Sequence, residues 1–503
     1  MDDLRSLPLF VYLLFACGLG MLAPAVYALG YSDLRGGGVF LICAVAILTI
    51  STMIALAMHQ RKPRSTARLH LITLLGGYIV LPALAALPLF GLVETITFGQ
   101  AYFEMVSALT TTGATLFGDP DTLSAPLHLW RALVGWFGGF MILVAGYAIL
   151  EPLNLGGFEV RTAFSGAQPG QPSDKRRNDD PSDRIIRVVR LIMPIYVVLT
   201  FVLTIGLIVL GDRPFVAVSH AMAVLSTSGI SPIGGLQTAQ SAGLGEALIA
   251  IFLLFAVTHT AVSRLKRNED NLNPLRDPEV QLALALVLIV TTLLFLRHFL
   301  GALDVGEERN LTRAGQALWG TVFTALSFLT TTGFASVHWE TAQSWSGLNT
   351  SALILMALAM VGGGIATTAG GIKLLRFFAL YKHGMREMER LVHPSSIAAS
   401  GRAGRRIRRE GAYIAWMFLM LFFMVLAGVF LSLTFAGLDF ESAFVLSTAA
   451  LSNTGPLPKF FDDIATYQAL GPNGLAVLDI AMILGRMEVL AVIALLNPEY
   501  WRR

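Results

Sequence analysis

Charge is scarce in this chain of 503 residues. Only 14% of the residues are Asp, Glu, Lys or Arg, whereas 55% are hydrophobic, and the mean hydropathy is +0.66. Because soluble domains carry about 25% charge, this composition excludes a soluble globular protein and indicates a polytopic membrane protein. Cysteine is almost absent, since only Cys17 and Cys43 occur, both in apolar stretches. A disulfide framework and a cysteine-based metal site are therefore excluded.

Motifs for catalysis and nucleotide binding are also lacking. The sequence contains no His-Glu-x-x-His pattern and no nucleotide-binding loop. It also contains no catalytic set of nucleophile, base and orienting residue that can be assigned from sequence alone. We therefore expect that the protein is not an enzyme, has no cofactor and binds no nucleic acid. A basic N-terminal segment typical of signal peptides is missing as well, so the first apolar segment is expected to be retained.

Ten apolar segments are predicted to cross the bilayer, which requires about 20 residues each. Lysine and arginine are concentrated after every second segment and at the C-terminus, whereas the opposite side carries scattered acids. Since basic loops stay in the cytoplasm, both termini are predicted to be cytoplasmic. The segments lie at 8–29, 39–58, 69–90, 129–150, 191–211, 243–263, 279–300, 349–381, 411–435 and 473–496.

A short element rich in Thr, Ser and Gly occurs four times. Each copy follows an apolar segment of about a dozen residues, which is too short to span a bilayer, and precedes a longer one. This pattern predicts an all-α polytopic membrane protein with four pseudo-repeats of helix, pore half-helix, filter loop and helix around one central pore, plus two N-terminal transmembrane helices. The copies are Thr110-Thr111-Thr112-Gly113, Ser226-Thr227-Ser228-Gly229, Thr330-Thr331-Thr332-Gly333 and Ser452-Asn453-Thr454-Gly455.

These repeats define the predicted organisation of the chain. An N-terminal two-helix segment occupies 1–60, and two stretches rich in charge, at 168–183 and 401–409, are expected to be cytoplasmic surfaces. The four pore repeats are predicted at 61–160, 185–265, 275–395 and 408–503.

The four loops have a composition suited to ion binding. Non-helical backbone at membrane depth is tolerated only where protein buries it or water reaches it, so the loops are expected to surround a shared axis. Their backbone carbonyls can replace the hydration shell of an ion, and the negative ends of four half-helix dipoles favour a cation. Because the loops contain no carboxylate, we expect a monovalent ion. The competing interpretation is that Thr-Gly and Ser-Gly pairs only pack helices.

Further motifs accompany the loops. They are Phe103-Glu104, Trp136-Phe137-Gly138-Gly139, Arg276-Asp277-Pro278-Glu279, Gly362-Gly363-Gly364, Gly370-Gly371-Ile372-Lys373 and Gly485-Arg486-Met487-Glu488. In their order and spacing these motifs resemble the Trk/Ktr/HKT superfamily of potassium transporters, specifically the membrane subunit of the bacterial Trk system.

This resemblance implies a single-chain potassium pore in a bacterial inner membrane. It also implies a homodimer and a cytoplasmic nucleotide-binding regulatory subunit, similar to TrkA. K⁺, the transported ion, would meet the backbone carbonyls of all four loops, at 110–113, 226–229, 330–333 and 452–455. Since sodium-passing relatives have serine at the first loop's glycine, Gly113 favours potassium. Glu104 and His220, on the pore half-helices, are interpreted as packing or hydrogen-bonding residues.

Two features are candidates for a gate. The eighth segment is interrupted at 362–371 by a run of glycines that cannot sustain a regular helix. Arg486 lies deep in the last segment, where a charge is costly and usually faces a cavity or a partner. The resemblance implies that this glycine-rich loop gates the pore and that Arg486 lies beside it. The alternatives are a kink for close packing and an ion pair of Arg486 with Glu488 or Asp479. The glycines are Gly362, Gly363, Gly364, Gly370 and Gly371.

Two other functions stay open from the sequence. A secondary transporter of a small solute also uses broken helices at the bilayer midplane, although such proteins more often contain inverted repeats. A sodium-permeable or non-selective monovalent cation transporter of the same fold would share the four loops. The second and fourth loops differ from the usual family pattern, so the ratio of K⁺ to Na⁺ permeability does not follow from the sequence.

Overall fold

The computed structural model describes residues 9–58, 67–153, 155, 157, 158, 181–258, 277–301, 311–348, 350–392 and 409–496. These residues form helices and connecting loops, and no β-strand occurs among them. The stretches expected to be cytoplasmic at 168–183 and 401–409 lie almost wholly outside the described residues.

Among the described residues, seven helices are long and apolar enough to cross a membrane, which makes the chain a multi-pass membrane protein. An eighth span results if Trp339–Ser346 and Ser351–Val361, which meet at an angle of 119°, are counted together. The seven spans agree in position with seven of the ten predicted segments. They are Leu9–Gly30, Leu34–Met58, Leu69–Leu92, Ala125–Leu153, Asp183–Val209, Pro278–Arg297 and Gly411–Phe435.

The three other predicted segments are shorter or broken. The segment at 243–263 becomes a helix at Ala242–Leu253 that is extended by a short 3₁₀ turn, Leu254–Ala256. The segment at 349–381 divides into Ser351–Val361 and Leu374–Val392, as the glycines between them predict. The last segment is wrong as a single helix, because it breaks at Glu488 between Pro472–Met487 and Val489–Leu496. Glu488 has a φ of 60°, which an α-helix cannot accommodate.

Four shorter helices end at the four predicted loops, and we call them pore helices 1 to 4. Pore helix 1 begins with a capping box, in which Thr97 and Gln100 exchange hydrogen bonds between side chain and backbone. Asp439 caps pore helix 4 by accepting a hydrogen bond of 3.1 Å from the amide of Ser442. Pore helix 3 is longer than the expected half-helix, with 19 residues. The pore helices are Phe98–Leu109, Pro214–Ser226, Leu311–Leu329 and Phe440–Leu451.

The repeats close into a ring through their pore helices. Pore helix 2 packs against Ala125–Ala145, the helix that ends repeat 1. In the same way, pore helix 3 packs against Ala242–Leu253 of repeat 2, and pore helix 4 against Ser351–Val361 of repeat 3. Pore helix 1 completes the cycle, since it packs against Pro472–Met487 of repeat 4. Each pore helix is therefore held by the preceding repeat, which is the arrangement of a pseudo-fourfold bundle.

Candidate functional site

The four loops share one backbone conformation. Their second residues all have left-handed φ angles, namely 54° at Thr111, 53° at Thr227, 58° at Thr331 and 54° at Asn453. Such values are uncommon outside glycine and persist only where the surroundings enforce them. Here the enforcement comes from the amide of the third residue, which bonds back to a carbonyl in the pore helix at 2.8–2.9 Å in every loop. The four loops are thus structurally equivalent.

Hydroxyl groups tie each loop to its own pore helix. The first residue of each loop donates to the carbonyl four positions earlier, as Thr110 does to Val106 at 2.7 Å. The same hydroxyl also bonds with the hydroxyl of the third residue, as in Thr110 and Thr112 at 2.8 Å. The corresponding pairs are Ser226 with Ser228 at 3.0 Å, Thr330 with Thr332 at 3.1 Å, and Ser452 with Thr454 at 3.2 Å.

These bonds engage the side chains and leave backbone carbonyls available. Within the described part of the chain, no donor is bonded to the carbonyls of the second residues, Thr111, Thr227, Thr331 and Asn453. Carbonyl oxygens without a donor are the ligands that a dehydrating monovalent cation requires. The loops can therefore offer one oxygen each from equivalent positions.

The loops touch one another in cyclic order. A Cβ atom on Gly113 would lie 1.9 Å from the carbonyl oxygen of Ser228, and one on Gly229 would lie 2.1 Å from that of Thr332. These distances are too short for any side chain, so glycine is required at both positions. Gly333 approaches Pro456 in the same manner, and Gly455 approaches Ala114. The four predicted loops are thereby brought together in one closed ring.

The fourth loop departs from this symmetry at its glycine. Gly113, Gly229 and Gly333 have positive φ angles, whereas Gly455 does not. Its amide donates a hydrogen bond of 2.7 Å to the carbonyl of Thr112, and its carbonyl accepts one of 3.0 Å from the hydroxyl of Tyr467. The carbonyls of Thr112 and Gly455 are consequently less available to an ion than those of the second residues.

A cavity of about 310 Å³ adjoins the ring, and we call it the vestibule. Its wall contains the glycines of the first three loops together with Pro456, so the ring forms its floor. Arg131 lines the vestibule and forms an ion pair of 3.0 Å with Glu104. The other charged residues in the wall are Lys459, Glu340 and Asp462. The surrounding protein lowers the pKa of Lys459, mainly by displacing water and additionally through the charge of Arg131.

Buried polar side chains behind the ring hold the segments that follow the loops. Glu104 accepts hydrogen bonds from the hydroxyl of Thr115, at 2.9 Å, and from the amide of Leu116. His220 occupies the same place in pore helix 2 and bonds to Ser231 at 2.8 Å. Both residues act as structural hydrogen-bonding groups. Glu246, which is 1% exposed, holds the third loop by accepting from Ser336 at 2.7 Å and from the amide of Val337.

The glycine-rich loop lies directly against the ring. The amide of Gly370 donates a hydrogen bond of 2.7 Å to Oγ1 of Thr331 in the third loop. A Cβ atom on Gly370 would lie 2.1 Å from the carbonyl oxygen of Ser452 in the fourth loop. The other end of this segment is fixed by Glu279, whose carboxylate accepts a hydrogen bond of 2.9 Å from the amide of Ile365.

Arg486 bonds to the same glycine-rich loop. Its Nη1 donates a hydrogen bond of 2.6 Å to the carbonyl of Thr368, and the side chain is 3% exposed. Among the described residues, Nε and Nη2 of Arg486 have no hydrogen-bond partner. Arg486 also lines a small cavity of about 20 Å³ together with Gly146, Thr367 and Lys373. The arginine and the loop are therefore brought together as predicted.

The ion pair considered for Arg486 is not formed with either candidate in the described structure. Glu488 pairs instead with Arg376, at 2.7 Å, and Asp479 keeps one carboxylate oxygen without a partner. The guanidinium of Arg376 also lies over the ring of Phe418, with 3.6 Å between its Cζ and the ring centroid. This buried ion pair is formed at the residue where the last segment breaks.

Sequence reasoning assigned no role to Glu246, Glu279 or Arg376, and it considered Glu488 only as a partner of Arg486. Each of these residues contacts a segment that is far away in the chain, and Arg376 and Glu488 contact each other. No local sequence pattern could therefore assign their partners. The signal that could have indicated these residues was a charged side chain inside an apolar segment. Burying such a charge in the membrane costs free energy unless it is paired.

Comparison with known proteins identifies the fold and the family. Residues 39–502 match the family model TrkH, described as a cation transport protein. The chain belongs to this family. The Trk system potassium uptake protein TrkH of Salmonella typhimurium is 29% identical over 496 residues, which cover 96% of each chain. The TrkH of Vibrio parahaemolyticus is 29% identical over 515 residues, covering 99% of each chain.

A solved structure of the family has the same fold. The crystal structure of the potassium transporter TrkH from Vibrio parahaemolyticus superposes with a TM-score of 0.79 at 26% identity, and the match covers 100% of both chains. Family membership and the expected all-α fold with four pseudo-repeats are thereby confirmed.

Proposed function

We propose that this chain is the membrane subunit of a potassium uptake system and passes K⁺ through the ring of four loops. The observation that carries the proposal is the closed ring itself, in which four equivalent carbonyls have no donor among the residues that the structure describes. Relatives named as potassium uptake proteins, which match this chain over nearly its whole length, support the same ion.

The ring acts as a selectivity filter in this proposal. K⁺ leaves its hydration shell in the vestibule and is coordinated by backbone carbonyls of 110–113, 226–229, 330–333 and 452–455. The membrane potential supplies about 2.3 kcal/mol per charge for each 100 mV, which is sufficient for passive entry. The chain is thus a transporter, not an enzyme, and requires no cofactor of its own.

The glycine-rich loop at 362–371 and Arg486 form the gate beneath this filter. Support comes from the hydrogen bond between Gly370 and Thr331 and from that between Arg486 and Thr368. A cation held beside the path repels K⁺, so displacement of the loop together with Arg486 lowers the barrier to passage.

The proposal extends to the remaining features of the system, which the basic loops of the sequence and the family support. In this proposal both termini lie in the cytoplasm of a bacterial cell, and the protein lies in the inner membrane as a homodimer. A cytoplasmic nucleotide-binding subunit similar to TrkA regulates it by acting on the gate.

Radioactive Rb⁺ uptake into liposomes that contain the purified protein tests the filter. We expect K⁺ to compete with Rb⁺ and Na⁺ to compete weakly. A variant in which 362–371 is shortened supplies an open form, so that a closed gate is not mistaken for the absence of a pore. No uptake by the shortened variant contradicts the pore.

A non-selective monovalent cation transporter is the second candidate. Engagement of the Thr112 and Gly455 carbonyls leaves the ring with fewer free ligands than fourfold symmetry would give, and this favours weaker selectivity. Equal competition by Na⁺ and K⁺ in the same assay supports this candidate and contradicts the potassium-selective one.

A further inference from the structure

The vestibule contains one lysine, which has no partner among the described residues. Its wall carries four charged side chains, of which Arg131 is neutralised by its ion pair with Glu104. In the described part of the chain, Lys459 forms no ion pair and its ammonium takes part in no hydrogen bond. The two acids, Glu340 and Asp462, attract cations, whereas the ammonium of Lys459 repels them. Lys459 is therefore the exception in the entrance to a cation pathway.

The position of Lys459 is fixed relative to the ring. It lies in the 3₁₀ helix Leu457–Phe460, which directly follows Gly455 and Pro456 of the fourth loop. The amide of Leu457 donates to the carbonyl of Thr454 at 3.2 Å, and that of Lys459 donates to Pro456 at 3.1 Å. The backbone of Lys459 is therefore an extension of the fourth loop.

Aromatic packing holds the same short helix from the other side. The ring of Phe460 meets that of Phe328 in pore helix 3 edge-on, with centroids 4.9 Å apart. It also contacts Trp339, which lines the vestibule, at 6.2 Å. The backbone that carries Lys459 is thus anchored between the third and fourth loops, above the point where an ion reaches the ring.

We propose that Lys459 is a tethered cation that lowers the affinity of the vestibule for an incoming monovalent cation. This inference rests on the proposed function, because it assigns a residue to the cation entrance. The ammonium repels K⁺ where low-dielectric walls focus the field and raise the effective strength of the interaction. Lys459 consequently sets the external K⁺ concentration at which uptake is half-maximal, and leaves the filter ligands unchanged.

Charge substitutions at Lys459 test the proposal. Initial rates of Rb⁺ uptake are measured against Rb⁺ concentration for Lys459→Gln, Lys459→Arg and Lys459→Glu at low ionic strength. We expect the half-saturating concentration to fall by about two- to tenfold in Lys459→Gln, to fall further in Lys459→Glu, and to stay unchanged in Lys459→Arg. Lys382→Gln is the matched control, since Lys382 lies beside Phe378 and Tyr381, outside the vestibule.

Salt dependence separates an electrostatic role from a structural one. An impermeant salt is raised from about 0.01 M to about 0.15 M, which shortens the Debye length from about 30 Å to about 8 Å. The difference between wild type and Lys459→Gln should shrink over this range. A difference that does not change with salt, or equal half-saturation at low salt, overturns the proposal.

Rb⁺ uptake by the wild type distinguishes a failure of the role proposed for Lys459 from a failure of the proposed function. Uptake by the wild type together with unchanged half-saturation in Lys459→Gln overturns the role of Lys459 and leaves the proposed function intact. No uptake by the wild type or by its shortened-gate form overturns the proposed function, and the role of Lys459 with it.

Discussion

The amide of Gly370 donates a hydrogen bond of 2.7 Å to Oγ1 of Thr331, the second residue of the third loop, which has a left-handed φ. The glycine-rich loop and the ring are therefore bonded to each other. The loop cannot move away without leaving this amide and this hydroxyl unpaired, and buried polar groups without partners are costly. A movement of the loop is thus coupled to the third loop of the ring.

Thr331→Val tests this coupling. Valine keeps the shape and the β-branch of threonine but cannot accept the hydrogen bond from Gly370, which contributes about 0.5–1.5 kcal/mol. If the loop is the gate, we expect resting Rb⁺ uptake to rise by up to about tenfold, since 1.4 kcal/mol corresponds to a factor of ten.

Thr111→Val is the matched control for this substitution. Thr111 occupies the equivalent position in the first loop, and its buried hydroxyl has no hydrogen-bond partner among the described residues. Uptake by this variant should stay close to that of the wild type. Equal increases in both variants would show that the substitution disturbs the loops themselves.

Arg486→Ala should increase uptake. The substitution removes a buried cation beside the path and the hydrogen bond that Arg486 donates to Thr368 at 2.6 Å. Rb⁺ flux into liposomes measures the effect, and Arg486→Lys, which keeps the charge, should retain most of the barrier. Lower flux in Arg486→Ala with normal expression and folding counts against a barrier role.

Arg376→Ala should act on stability. Arg376 is fully buried and its ion pair with Glu488 is 2.7 Å long, so truncation leaves a carboxylate buried without its partner. Breaking such a pair costs about 3–5 kcal/mol. Thermal unfolding in detergent should therefore occur at a markedly lower temperature than in Arg486→Ala. Equal unfolding temperatures of the two variants would contradict the structural role of the Arg376 pair.

Uptake should also depend on pH through Lys459. The ammonium is charged below its pKa and neutral above it, and the displacement of water together with the charge of Arg131 lowers that pKa. The other titratable or charged groups in the wall of the vestibule are His128, Arg131, Glu340 and Asp462. Raising the external pH from about 7 to about 10 should therefore lower the half-saturating Rb⁺ concentration. Lys459→Gln should show no such change, and a parallel change in both proteins would assign the titration to another group.

The sequence was informative where structure depends on local composition. Hydropathy located the seven long spans, and the glycines at 362–371 predicted the break before Leu374 correctly. The Thr/Ser-Gly pattern also indicated four equivalent loops, because the same residues recur where the same backbone is required. The roles of these loops as ligands and of 362–371 as a gate stay predictions.

Features that depend on distant partners could not be predicted. The last segment is apolar on both sides of Glu488, and the residue at its break pairs with Arg376, which precedes it by 112 residues. The asymmetry at Gly455 is similar, since it arises from Thr112 in another loop and from Tyr467. A pattern within one segment contains no information about either contact.

The cyclic packing of the pore helices also affects biosynthesis. The contact that closes the ring joins pore helix 1 to the helix Pro472–Met487, so it connects the first repeat to the last. A nascent chain that has inserted three repeats still lacks one wall of the conduit. If the ring passes ions as proposed, we expect it to conduct only after Pro472–Met487 has left the ribosome, so that unfinished copies of the protein do not leak ions.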